Sequence, residues 1–225
     1  MSVRAAPHQS DVVSQQANHP RVGNVKATRQ DWIDAAVAAL ERVAIDQLKI
    51  LSLAEDLSVS RSSFYWYFDG IAELHEELLA VWSWSTAAIV ERTQRRAQDI
   101  TTACLGVYEC WADPSLYSSK LDFAIRDWGR RNADISIRVY HADVERLNAM
   151  SDMFEQFGFD ETDAMVRARL LYHSQLGYYA TGTDEAVELR LMFLPSYLRA
   201  LTDVEPEQRV LDEFAAYFRK LQATP

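Results

Sequence analysis

The chain has 225 residues, of which 23 are basic and 33 acidic, giving a formal charge of −10 at pH 7. Its 48 % hydrophobic content excludes global disorder and leaves room for one large or two small domains. Only 7 Gly and 6 Pro serve the whole length, too few for the many tight turns of a sandwich or barrel, so composition favours an all-α fold of long helices.

Residues 1–25 mix polar, small and Pro/Gly residues with no period and read as a flexible N-terminal arm. Arg4 and Arg21, with Lys26 and Arg29 just beyond, could follow a DNA minor groove. From Thr28 a helical period begins, with Trp32, Ala36, Ala39, Leu40 and Val43 at steps of three and four, and Thr28 stands three before Asp31 as a capping-box variant. A break at 45–47 leads to a short second helix, Ile50 to Leu57, with Leu53 and Leu57 inward and Ala54 small enough for close approach. Ser58-Val59 makes a tight turn, and Ser60 is the expected N-cap of a third helix through about Phe68, with Phe64 and Phe68 on one face. After Asp69-Gly70 a long helix places Ile71, Leu74, Leu78, Val81, Ser85 and Ile89 on one stripe, with Glu73, Glu76, Glu77 and Glu91 largely off it. Further helices are predicted at 99–112, 117–129, 134–157, 161–181, 185–202 and 206–221, and Pro195 predicts a kink or break in the penultimate one.

Helix, tight turn, helix at this spacing is the helix-turn-helix arrangement, whose second helix lies in the DNA major groove. The candidate DNA-contacting residues are Lys49, Ser60, Arg61, Ser62, Ser63, Tyr65, Trp66 and Tyr67. Arg61 can donate two hydrogen bonds to guanine, the serines can donate or accept, and the tyrosine hydroxyls can reach phosphate oxygens.

The run LAEDLSVSRSSFYWYF, and residues 26–70 as a whole, resemble the TetR family of bacterial transcriptional regulators. The likeness rests on Leu53-Ala54, the Val59-Ser60 turn, Phe64-Tyr65-Trp66, Phe68 and the acidic amphipathic helix directly behind. Further on, Ala124 to Trp128, Arg146-Leu147, Phe157-Gly158-Phe159 and Ala168 to Tyr172 resemble the regulatory domain of one branch of that family. The resemblance implies a helix-turn-helix domain over 26–70 and a helical regulatory and dimerisation domain over 71–225. It also implies base readout by Arg61, Ser62, Ser63 and Trp66, and phosphate contacts from Tyr65 and Tyr67. Its partners would be a palindromic double-stranded operator, a small-molecule effector that releases the repressor, and a second copy paired through 161–181 and 185–202.

Two departures stand out. Many relatives have glycine in the turn where this chain has Ser58, which costs ~1 kcal/mol if its φ is positive. Where relatives offer a lysine to the DNA backbone, this chain reads Asp69-Gly70-Ile71-Ala72. Residues 26–70 hold five bases against seven acids, net −2, a poor balance for counterion release, so nonspecific DNA binding is expected to be weak. The alternative reading is a helical ligand- or protein-binding module that has lost DNA binding.

Segment 161–181 carries Ala164, Ala168, Leu171 and Gln175 on one side and Val166, Leu170, His173 and Gly177 on another, as when one face packs inside and one across a dimer. The candidate ligand pocket gathers Trp82, Tyr108, Trp111, Phe123, Arg126, Trp128 and Tyr172, for an aromatic, cationic or acidic small molecule. His141, Asp143 and Glu145 are spaced two apart, facing opposite sides of a helix, and cannot converge on a metal. No HExxH, Gly-rich phosphate loop or GxSxG occurs, so neither a cofactor nor catalysis is expected. Cys104 and Cys110 form no CxxC and read as buried thiols of a reducing compartment. The longest apolar run, Ala35 to Leu40, is far below the ~20 residues that span a bilayer, so no membrane contact and a cytoplasmic location are expected.

Overall fold

The computed structural model describes residues 27–40, 42–183 and 185–223; the arm, Lys26 and Glu41 lie outside the described residues. All regular structure among the described residues is helical: α1 (Arg29–Ala39), α2 (Ile50–Asp56), α3 (Ile71–Thr93), α4 (Ile100–Ala112), α5 (Ser119–Gly129), α6 (Ala133–Gln156), α7 (Glu161–Ala180), α8 (Val187–Thr202) and α9 (Gln208–Gln222). Two 3-10 segments, Ile45–Gln47 and Arg61–Trp66, flank α2.

Local chemistry sets the head. The Thr28 hydroxyl accepts from the Asp31 amide at 3.2 Å while the Asp31 carboxylate accepts from the Thr28 amide at 2.6 Å, a reciprocal cap that starts α1. The helix ends at Ala39, earlier than the apolar period suggests, and Val43 lies exposed beyond it. At the end of α2, Val59 N–H donates to the Ala54 carbonyl and Ser58 N–H to the Glu55 carbonyl. This is a Schellman closure with Ser58 at the left-handed position, φ 55°. It delivers the chain directly into the next segment.

That segment corrects the expected third α-helix: it is a six-residue 3-10 turn, Arg61–Trp66. Ser60 does not cap it through its side chain; its hydroxyl sits 2.9 Å from that of Ser62 instead. The Ser60 carbonyl is taken by both the amide and the hydroxyl of Ser63, at 3.0 and 2.7 Å, and this local competition favours the tighter i→i+3 winding. Phe64 and Phe68 still point inward, stacked at 4.9 Å, with Trp32 edge-on to Phe64 at 5.1 Å.

The head's core does not stop at its own helices. Trp32, Leu53, Phe64 and Phe68 share one buried cluster with Leu74, Leu78 and Trp82 of α3, Leu121 and Ile125 of α5 and Ile135 of α6. On α3 the inward position falls to Trp82, and Val81 of the predicted stripe is partly exposed. A second cluster joins Ile89 at the far end of α3 to α4, the end of α6, and α7, α8 and α9. Of the kink or break expected at Pro195, the break does not occur, since α8 runs continuously through it; the ring deprives the Leu191 carbonyl of its helical donor.

Candidate nucleic-acid interface and ligand cavity

The short turn after α2 displays the predicted DNA-contacting residues on one side of the head. Ser60, Arg61, Ser62, Tyr65 and Trp66 are exposed, Ser63 and Tyr67 half-buried, and Lys49 is exposed at the start of α2. Trp66 leaves 73 % of its surface accessible, a large apolar area for a side chain with no core role. Arg61 donates to the Tyr65 hydroxyl at 3.2 Å and lies over its ring at 6.0 Å, which holds the guanidinium beside a phenol rather than a carboxylate.

Electrostatics narrows the set of bases. Arg29 is held by Glu77 at 2.8 Å and Glu73 at 3.6 Å, and Arg42 by Asp56 at 2.6 Å. Glu73 also accepts from the Asp69 amide at 2.6 Å, so the acidic start of α3 is occupied with capping its own helix and tethering α1. Lys49 and Arg61 belong to no ion pair among the described residues.

The seven residues expected to form one ligand pocket fall in three places. Trp82, Arg126 and Tyr172 belong to a buried polar network. Trp82 donates its indole N–H to Asp122 at 2.7 Å, and Arg126 donates to Asp122 at 2.6 Å and to both Asp143 oxygens at 2.8 and 2.6 Å. Arg146, fully buried, donates to Asp122, to the Tyr172 hydroxyl and to Thr86 at 3.1, 3.0 and 2.8 Å. The Tyr172 hydroxyl accepts from Arg126 as well and donates to Asp143 at 2.6 Å. Burial of Asp122 opposes its ionisation, but Arg146 and Arg126 outweigh it and hold the carboxyl below its usual range. Trp128 and Phe123 form the second place, facing the head: Trp128 meets His75 edge-on at 5.3 Å, and Phe123 borders a shallow depression with Leu40, Ala44 and Gln47.

Tyr108 and Trp111 line the third place, a cavity of about 120 Å³ between α4, α7, α8 and α9. Sequence reasoning missed most of its wall: Gln175 and Tyr178 of α7, Arg190, Phe193 and Tyr197 of α8, and Phe214 and Phe218 of α9. A signal was present in the four-residue spacing of Val210, Phe214 and Phe218, all buried. Outside this cavity α7 exposes Val166 and Leu170 and α8 exposes Leu189 and Met192, while the cavity-lining Phe193 and Tyr197 are themselves partly exposed.

Among the described residues no group of three or more His, Cys, Asp or Glu side chains can hold a metal ion, and no helix is long and apolar enough to cross a membrane. Cys104 and Cys110 are both buried, and burial pushes their thiols up to about 12 and about 11, far from the thiolate state that reactivity requires.

A helix-turn-helix head feeding a long connecting helix and a larger helical body is the architecture of a DNA-binding regulator. Residues 33–78 match the model of the bacterial regulatory proteins of the tetR family, so the head of this chain is a DNA-binding domain of the tetR type. The fold of the whole agrees: the crystal structure of Mycobacterium smegmatis AmtR superposes with a TM-score of 0.59 at 15 % identity, covering 93 % of this chain and 100 % of that one. No curated protein sequence matches the chain.

Proposed function

We propose that the protein is a homodimeric repressor whose two heads occupy a pseudo-palindromic operator and are released by a small molecule held against α8. The observation that carries this reading is the double use of α8. Phe193 and Tyr197 line the cavity and are also exposed apolar side chains of α8, together with Met192 and Leu189, while α7 exposes Val166 and Leu170. Monomers rarely leave such a run of large apolar side chains in water, and an isologous pairing of α7 and α8 with a second copy would cover it.

A ligand in the cavity would press on the same helix that sets the angle between subunits. The heads are carried by the body through Arg131 to Asp46 at 3.2 Å, Arg138 to Glu76 at 3.3 Å and Trp128 against His75. A change in subunit angle therefore becomes a change in half-site spacing, and operator affinity falls by the ligand's differential affinity for the two arrangements. Readout would fall to Arg61, Ser62, Ser63 and Trp66, with Lys49, Ser60, Tyr65 and Tyr67 on phosphates. Action on chromosomal DNA assigns it to the cytoplasm.

Light scattering joined to anisotropy titration on duplexes from the region upstream of its own gene tests this. Wild type should be a dimer that binds one duplex, and Met192→Glu should be a folded monomer with strongly weakened binding. A monomeric wild type would overturn the homodimer, and small molecules that only tighten the complex would overturn release.

A further inference from the structure

We infer that the cavity between α4, α7, α8 and α9 is a binding site for a small single-ring aromatic carboxylate, an inference that relies on the regulator reading only for its effect at the operator. Three observations converge on that chemistry. The first is size: about 120 Å³ is comparable to the ~150 Å³ apolar cavity that accommodates benzene, so the space suits a single ring. The second is the wall, in which Tyr108, Trp111, Phe193 and Phe214 supply aromatic surface from three helices. Tyr108 and Trp111 already meet edge-on at 5.7 Å, the geometry that a further ring extends.

The third observation is an excess of donors. Gln175 leaves only 7 % of its surface accessible, and its amide nitrogen makes no hydrogen bond of ordinary geometry, acting only on the nearby Tyr179 phenol. A buried N–H without an acceptor is costly, and a group of this kind in a cavity wall is matched by a ligand oxygen. Arg190 lies over the rings of Tyr178 and Phe218 at 4.7 and 5.1 Å and is in no ion pair among the described residues. Stacking fixes its plane while leaving its N–H groups unmatched by any carboxylate, the disposition suited to an incoming carboxylate. Burial pushes the Tyr108 phenol up, so its hydroxyl stays protonated at physiological pH. Among the described residues of the wall Glu185 is the one carboxylate, and it acts on Tyr178, whose phenol is raised by burial and by Glu185.

Calorimetric titration of the full-length protein with benzoate, benzamide and benzylamine tests the assignment. Benzoate should bind with a Kd of roughly 0.1 mM or tighter, in the range open to a ligand of this size. Benzamide should bind about tenfold or more weakly and benzylamine more weakly still, since both lack the anion. Gln175→Leu and Arg190→Met should each weaken benzoate about ten- to a hundredfold while melting within a few degrees of wild type. Preference for benzylamine would show that Glu185 dominates and would overturn the inference, as would the absence of heat and of a melting shift with millimolar benzoate. Benzoate affinity untouched by both substitutions would overturn it as well. Operator binding is read separately: benzoate that binds but leaves operator affinity unchanged supports the site and removes the release reading, whereas intact operator binding with no benzoate uptake defeats the site alone.

Discussion

The body of this protein contains two polar clusters of opposite kind, only one helix apart. Around Asp122, two arginines and an indole N–H donate to a buried carboxylate, and Tyr172 closes the ring by bridging Arg126, Arg146 and Asp143. Around Gln175 and Arg190, less than one turn beyond Tyr172 on α7 and onto α8, the donors meet no carboxylate and an aromatic-walled space adjoins them. Buried charge is tolerated when it is paired and hydrogen-bonded; here each guanidinium meets a carboxylate and only the Arg146 Nε lacks a partner, so the first cluster is a fixed joint between α3, α5, α6 and α7. The second is built for a missing component. Abundance of aromatic and charged side chains therefore does not by itself distinguish a ligand site from a structural one; the state of the hydrogen bonds does.

Substitutions should separate the two clusters sharply. The largest effect is expected from Asp122→Ala, which takes from the fully buried Arg146 its hydrogen-bonded carboxylate, while Arg126 keeps Asp143, and should cost about 3–5 kcal/mol in urea unfolding. Next, Tyr172→Phe should cost about 1–2 kcal/mol at neutral pH, since each arginine keeps other partners. It should also alter the alkaline limb. Burial raises the Tyr172 phenol to about 12 from an ordinary value near 10, so the folded state holds this proton more tightly. Its contribution is complete below pH ~10 and is lost as pH rises toward about 12, and the stability profile of Tyr172→Phe should be shallower across that window.

Smaller still, Ser58→Gly should add about 0.5–1 kcal/mol by relieving a left-handed serine, and this gain should add to the cost of Tyr172→Phe within about 0.5 kcal/mol because the sites share no partner. Smallest of all, Gln175→Leu should leave stability within about 1 kcal/mol of wild type, or raise it, because it removes an unpaired amide rather than a partner. A cost for Gln175→Leu comparable with that of Asp122→Ala would erase the distinction between the two clusters.

What the sequence made legible was what short-range chemistry decides. The Thr28–Asp31 cap, the left-handed Ser58 and the inward Phe64 and Phe68 are set by neighbours within a few residues, and they appear where the spacing puts them. The third helix misled because Ser60, Ser62 and Ser63 compete for the same few backbone and hydroxyl groups, a contest that apolar period does not register. The pocket was legible only in part. Tyr108 and Trp111 lie on one helix and were found together, but their partners come from α7, α8 and α9, whose mutual placement is a long-range outcome. Arg126, grouped with the candidate pocket but more readily read as part of an internal Arg–Asp network, is engaged by Asp122 and Asp143 from a turn away and from a neighbouring helix.

The measurement that bears most directly on the account is an anisotropy titration of wild type and Arg61→Ala against a labelled duplex from the upstream region, at two salt concentrations. The account predicts saturable binding of wild type to one duplex, weakened by salt, with Arg61→Ala losing about 1–3 kcal/mol of affinity, roughly five- to 150-fold. Equal affinity of the two proteins for every duplex, with both folded and dimeric, would contradict the assignment of operator readout to this head.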